Sequence, residues 1–187
     1  MKHTIAILVE NQFGVLARVA GLFSARGYNI DSLAVGETHD PTISRITVVV
    51  EGDLKVLDQI VKQLNKLVDV IKVKDISSED HIARELVLMK VHCTTEHRSE
   101  IMQIITTFRA KVVDVSLGHA TVEVTGSEGK VDALIELLRP YGLIEVVRTG
   151  LIALGRESEV AYEGQPQDGR VPKKSKKTAG KKVLVRK

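Results

Sequence analysis

The chain has a single cysteine, Cys93, in 187 residues. One thiol cannot close an intramolecular disulfide or build a multi-cysteine metal site, so disulfide scaffolds and thiolate zinc ribbons are excluded and a reducing compartment, the cytoplasm, is expected. Aromatic residues are nearly as scarce: three Phe, three Tyr and no Trp, too few for the stacking platform that holds single-stranded nucleic acid. No apolar run approaches the roughly 20 residues of a bilayer span. The opening MKHTIAILVEN meets Glu10 and Asn11 too soon to read as a secretory signal. Catalytic and nucleotide signatures are missing as well, including the Gly-Lys-Ser/Thr phosphate loop, the Gly-x-Ser-x-Gly elbow and the Gly-x-Gly-x-x-Gly turn. His92, Cys93 and His97 lie close in sequence, but adjacent strand residues point to opposite faces and His97 falls beyond the strand, so no metal site is expected. Glu79-Asp80 falls in a polar stretch where paired carboxylates are solvated. No residue is assigned a catalytic role.

Acidic residues are absent from the last 18 positions, which carry nine Lys and Arg. The net charge of +3 therefore divides into −6 on residues 1–169 and +9 on residues 170–187. The tail from 158 onward, Pro-, Gly- and Lys-rich with Val183-Leu184-Val185 as its one apolar island, has the composition of a disordered segment. Cations without a folded reader give salt-sensitive attachment that is blind to sequence.

What remains is a body of the size of one ordinary domain or two small ones. Residues 4–10 alternate around Ile5, Ile7 and Val9 as a strand, and Asn-Gln-Phe-Gly breaks it. Val15, Leu16, Val19, Leu22 and Phe23 form one stripe of a helix that stops at Gly27. Residues 29–36 and 44–51 read as strands, Gly52-Asp53 opens a second helix carrying Leu57, Ile60, Val61 and Leu64, and 68–76 return to a strand. The order is βαββαβ. SSEDHIA then reads as a linker, and the order repeats: a strand at 86–93, a helix over 96–109, alternating runs VVDVSL and ATVEVTG, a helix capped by Ser127, and a closing strand LIEVVRTG. Each unit should fold as a four-stranded antiparallel sheet with both helices on one face, the ferredoxin-like arrangement, leaving the other face uncovered. The expected class is α+β, with domains at 3–77 and 78–157 and the basic tail at 158–187. The strand Asn29–Gly36 should lie at the rim of its sheet, with Asp31 as its only charge and no Lys or Pro to blunt it. A homodimer through this rim is expected.

The segment Glu10–Leu16 is where a strand hands over to a helix. The first N–H groups of a helix lack intrahelical partners and the dipole there is positive, which favours an α-carboxylate. Gly14, without a Cβ, admits a ligand close to the backbone, and the Asn11 amide carries both a donor and an acceptor for a carboxylate and an ammonium. Asn29 and Ile30 of a second chain, brought up by rim pairing, would complete a pocket of Val, Leu and Ile side chains suited to a short branched amino acid. The same residues also have purely structural uses, Asn11 as a cap, Gly14 as a turn former, Ile30 as core and Asn29 as a turn residue, and the residues alone leave both readings open.

The run Glu10-Asn11 through Gly14-Val15-Leu16-Ala17-Arg18-Val19, followed by Leu22-Phe23-Ser24-Ala25-Arg26-Gly27-Tyr28-Asn29-Ile30-Asp31-Ser32-Leu33, resembles the N-terminal ACT domain of the small, regulatory subunits of acetolactate synthase. Arg84-Glu85-Leu86 and Gly150–Glu157 are similar to the second, ACT-like domain of that family. The resemblance implies a non-catalytic partner of a large subunit that carries thiamine diphosphate, Mg²⁺ and FAD and condenses pyruvate with a second 2-oxo acid in valine, leucine and isoleucine synthesis. It implies activation of that subunit and feedback inhibition by a branched-chain amino acid, usually valine, held by Asn11, Gly14, Val15 and Leu16 of one chain and Asn29 and Ile30 of the other. An amino-acid-sensing transcription regulator is the alternative, but no helix-turn-helix precedes the sensor.

Overall fold

The computed structural model describes residues 1–156. The first module runs β1 (Lys2–Glu10), α1 (Val15–Ala25), β2 (Ile30–Glu37), β3 (Ile43–Glu51), α2 (Leu54–Leu64) and β4 (Val70–Asp75). The second runs β5 (His81–His92), α3 (Arg98–Thr107), β6 (Lys111–Val115), β7 (His119–Gly126), α4 (Glu128–Leu138), a 3-10 turn (Arg139–Tyr141) and β8 (Leu143–Arg148), after which comes a short strand β9 (Ile152–Gly155). The sheet orders are β2-β3-β1-β4 and β6-β7-β5-β8, with antiparallel neighbours throughout. These are two ferredoxin-like βαββαβ units. The basic tail lies outside the described residues.

Period-two alternation decides which face each strand buries. Ile5, Ile7 and Val9 of β1 stand beside Val48, Ile46 and Ser44 of β3. The apolar side chains of this face meet Val15, Val19, Leu22 and Phe23 of α1 and Leu57, Ile60 and Leu64 of α2 in one core. The second module repeats this with Val87, Met89 and Val91 of β5, Ala120, Val122 and Val124 of β7, Ile101 and Ile105 of α3, and Val131, Leu134 and Leu138 of α4.

The helix ends follow local chemistry. Asp53 caps α2 by accepting a hydrogen bond from Val56 N at 2.8 Å, a cap worth about 1 kcal/mol. At the end of α1, Tyr28 N donates to Phe23 O and Gly27 N to Ser24 O, with Gly27 at φ +69. This paired closure needs one left-handed residue, which glycine adopts without strain. The second module builds the same closure without glycine: Ala110 N donates to Ile105 O and Arg109 N to Thr106 O, with Arg109 at φ +51.

Two expectations need correction. SSEDHIA is not wholly a linker, because β5 begins at His81, and its first four residues pair with β9: Ile82 with Leu154, Ala83 with Ala153, Arg84 with Ile152. Nor is the outer face of the first sheet uncovered. Ala83 and Ala153 of this two-stranded ribbon pack on Ala6 and Ile76, Arg45 Nη2 donates to Ala153 O at 2.8 Å, and Thr4, Leu8, Thr47 and Val49 are buried. Small alanines let the ribbon approach the sheet closely, which longer side chains at 83 and 153 would prevent. The second sheet does keep an exposed outer face, where Leu88 pairs with Val147. Ser127 sits at the N-cap of α4 as expected, but its side chain makes no capping bond.

Where the modules meet, Arg148 Nη1 donates to Glu85 Oε1 at 2.9 Å and Nη2 to Asp132 Oδ1 at 2.6 Å. Glu85 is 5% exposed, and burial pushes its carboxyl above the usual range although the Arg148 guanidinium pulls the other way. Arg148→Ala removes that pull and leaves a buried carboxylate alone. The full loss for a buried pair is about 3–5 kcal/mol, and since the Arg148 side chain is 37% exposed water reduces it to about 2 kcal/mol. A carboxyl whose folded pKa is raised contributes stability present below its unfolded value and lost as pH climbs through the folded one. The deficit of Arg148→Ala, read from urea midpoints, should therefore be small near pH 4 and largest near neutrality; a deficit independent of pH would assign it to lost packing.

Candidate functional site

The turn between β1 and α1 is held from three sides. Asn11 N donates to Thr42 O at 2.7 Å and Glu10 N to Asp69 O at 2.9 Å, which fixes the end of β1 against the β2–β3 and α2–β4 loops. The Asn11 amide Nδ2 donates to Pro41 O at 2.9 Å and to Glu37 Oε1 at 3.1 Å. The β2–β3 loop is itself braced by Asp40, which accepts from Thr42 N and the Thr42 hydroxyl. Those two bonds, the hydroxyl first, hold the Asp40 carboxyl below its usual range.

Gly14 is the N-cap of α1 at φ +82, and no side chain caps the helix. Its first turn contains no acidic residue, so the dipole and the leading N–H groups are not neutralised by a neighbouring carboxylate of that turn. Arg18 adds a positive charge: its Nε donates to Asp69 Oδ2 at 2.8 Å, and a Cβ at position 14 would stand 3.3 Å from Arg18 Nη1. The corresponding end of α3 differs. Its N-cap is His97, Glu100 lies in its first turn, and Arg98 Nη2 is spent on Ser116 O at 3.0 Å. Of these two helix starts, only that of α1 opens on a glycine and has no acidic residue in its first turn.

Of the six residues singled out in the sequence, the chain brings four together. Asn11, Gly14, Val15 and Leu16 form the β1–α1 turn; Val15 is buried and Leu16 partly exposed. Asn29 and Ile30 lie at the opposite end of β2: Ile30 stands beside Val50 and packs on the first core, while Glu37, at the other end, bonds Asn11. Seven strand steps of about 3.3 Å separate them, roughly 23 Å. Asn29 Nδ2 donates to Asp31 Oδ1 at 2.9 Å. One chain alone does not assemble the six.

Beside β2 runs a largely apolar groove of about 400 Å³, lined by Ala34, Gly36 and Thr47 of the first sheet and by the ribbon residues Ile82, Ile152 and Leu154, among others. Among the described residues, no three or more His, Cys, Asp or Glu are grouped to hold a metal ion, and no helix is long and apolar enough to cross a membrane.

Residues 5–72 match the family model described as the AHAS small subunit-like ACT domain, and residues 84–157 match that of the small subunit of acetolactate synthase. The chain is 56% identical over 156 residues to a protein described as a probable acetolactate synthase small subunit from Archaeoglobus fulgidus, covering 83% of this chain and 98% of that one. The acetolactate synthase small subunit of Aquifex aeolicus is 49% identical over 163 residues, covering 87% and 85%. The chain belongs to the acetolactate synthase small-subunit family. A crystal structure of the Thermotoga maritima acetolactate synthase small subunit superposes with a TM-score of 0.77 at 42% identity, covering 84% of this chain and 99% of that one.

Within this small subunit, sequence reasoning passed over Arg18, Glu37 and Asp69 as members of the turn. Arg18 had a legible signal, since it sits one helical turn after Gly14 and so above the helix start. Glu37 and Asp69 had none, because each reaches Asn11 or Arg18 only through sheet pairing.

Proposed function

We propose that the chain is the regulatory subunit of acetolactate synthase, binding a branched-chain amino acid, valine first among them, at a seam between two copies and passing its occupancy to the catalytic large subunit. The large subunit carries the thiamine diphosphate, Mg²⁺ and FAD; this chain activates it and confers feedback inhibition. The observation that carries the reading is the start of α1, uncapped, free of acid in its first turn and opening on Gly14, three residues after Asn11, whose amide bonds Glu37 at the end of the edge strand β2.

Antiparallel pairing of β2 with β2 of a second copy places the partner subunit's Asn29 and Ile30 opposite Glu37 and Asn11, closing the 23 Å gap. The ligand carboxylate then faces the backbone N–H groups of Val15 and Leu16, where a glycine at 14 leaves room. Because both Asn11 Nδ2 hydrogens are directed at Glu37 and Pro41, the part of Asn11 offered to the ligand is Oδ1, which accepts from the ammonium. The short apolar side chain of the ligand lies against Leu16 and the partner subunit's Ile30.

The test is reconstitution with the catalytic subunit and assay with and without valine, leucine and isoleucine, beside calorimetry and ultracentrifugation of the chain alone. Expected are a dimer, heat with at least one of the three, and inhibition by the same one. A monomer giving no heat with any of them would rule the reading out.

A further inference from the structure

The strand that carries the proposed seam is also one to which the second module is fastened. Ser32 lies in the middle of β2, and its Oγ accepts a hydrogen bond from Leu151 N at 2.7 Å. Gly150, at φ +86, approaches β2 so closely that a Cβ there would stand 2.9 Å from Leu33 O and 3.1 Å from Ser32 Oγ. On its other side the same turn is tied to β5: Thr149 N donates to Leu86 O at 3.1 Å and Leu86 N to Thr149 Oγ1 at 3.1 Å. Thr149–Leu151 is also the connection between β8 and β9, so it belongs to the second sheet and to the ribbon beneath the first. Next to it lies a cleft of about 310 Å³, lined by Lys2 and Asp31 of the first module and by Glu85, Glu128 and Arg148 of the second, among others. Across that cleft Lys2 reaches Glu128, an exposed ion pair of the kind that contributes little.

We propose that the Thr149–Leu151 turn is the coupling element between the modules: the state of the β2 seam reaches β5 and β8 through Ser32, Leu33 and Gly150, and through them the catalytic subunit. The proposal rests on the reading of β2 as the effector seam. A ligand shifts an equilibrium only by its difference in affinity for two states, and coupling needs an element whose two arrangements both sites bias. The turn has the right build for that. Its contact with β2 consists of one hydrogen bond and one close backbone approach, which a small displacement of the strand breaks or makes as a unit. Its contact with β5 is doubled, so a displacement of the turn moves β5 with it. Glycine at 150 is required on both counts, for the left-handed backbone and for the close approach to Leu33 O that a Cβ would obstruct.

The experiment compares Ser32→Ala, which removes the acceptor, Gly150→Ala, which blocks the approach, and Lys2→Ala, which cuts the exposed Lys2–Glu128 ion pair elsewhere between the modules, each as the full chain in complex with the catalytic subunit. Valine affinity is read by calorimetry, assembly by ultracentrifugation, and activity with and without saturating valine. Ser32→Ala and Gly150→Ala should stay dimeric, bind valine within about threefold of the parent, keep the activity seen without valine, and lose at least half of the inhibition at saturation. Lys2→Ala should be inhibited like the parent. The proposal is overturned if the first two are inhibited in full, if they lose binding and inhibition together, or if Lys2→Ala uncouples as strongly as they do. Absence of valine binding by the parent chain marks instead a failure of the seam reading itself. Ser32→Ala, which adds no atom, keeps the test open should Gly150→Ala fold poorly.

Discussion

Gly14→Asp is expected to abolish feedback inhibition while leaving the fold and the dimer intact. The left-handed φ of +82 at position 14 is one that aspartate tolerates better than most residues, since its short polar side chain can bond locally. The new carboxylate would stand over the N–H groups of α1 and next to Arg18, whose Nη1 is 3.3 Å from the site of its Cβ. It would thus supply from the chain the anion that the ligand is proposed to bring, and repel the ligand's own. Removing one charge-assisted contact and adding a like charge should weaken valine binding by at least about a hundredfold, near 2.8 kcal/mol at 1.4 kcal/mol per tenfold. Gly14→Ala separates the causes, because it adds the backbone strain and the contact with Arg18 but no charge, and should lose far less affinity. Calorimetry on the two variants, with inhibition assays of the reconstituted complex, checks both. Full inhibition of Gly14→Asp would move the carboxylate site elsewhere.

The elements legible in the sequence are those whose signal is local. The Ile5, Ile7, Val9 alternation marks β1 and its buried face, and the end of α1 could be read because Gly27 is the residue its closing geometry demands. The matching closure of α3 could not, since Arg109 occupies the left-handed position and nothing in its type announces that. β9 escaped because Ile152–Gly155 is too short for a period and gains its strand character only by pairing with His81–Arg84, about 70 positions earlier in the chain. That one missed ribbon is also why the first sheet was expected to have a bare face. The site divides in the same way: the β1–α1 turn is contiguous in sequence and was visible, whereas the engagement of Asn11 with Glu37 and Pro41 depends on where the β2–β3 loop lands. From its type alone the Asn11 amide offers two donors and an acceptor, while in the fold its Nδ2 is engaged by Glu37 and Pro41.

Val35→Lys is the second change expected to have a large effect, and it acts on assembly. Val35 lies in the edge strand β2 with its side chain 46% exposed, so a lysine there can extend into water in an isolated chain and should alter the melting temperature little. In a seam of two antiparallel β2 strands, centred between residues 33 and 34, the two lysines come within about 10 Å of each other along the strands and lose water as the seam closes, the device by which natural edge strands avoid pairing. The dimer dissociation constant should rise about a hundredfold or more, roughly 2.8 kcal/mol, and sedimentation at micromolar concentration should show monomers. Valine binding should vanish with the dimer, because the monomer retains Asn11, Gly14, Val15 and Leu16 but no longer has the partner subunit's Asn29 and Ile30 facing them. This outcome differs from that of Gly14→Asp, which stays dimeric and fails to bind for want of a free anion site. A Val35→Lys monomer that bound valine as tightly as the parent would place the whole pocket within one chain, and the roughly 23 Å between Ile30 and Glu37, which bonds Asn11, would then exclude Asn29 and Ile30 from it.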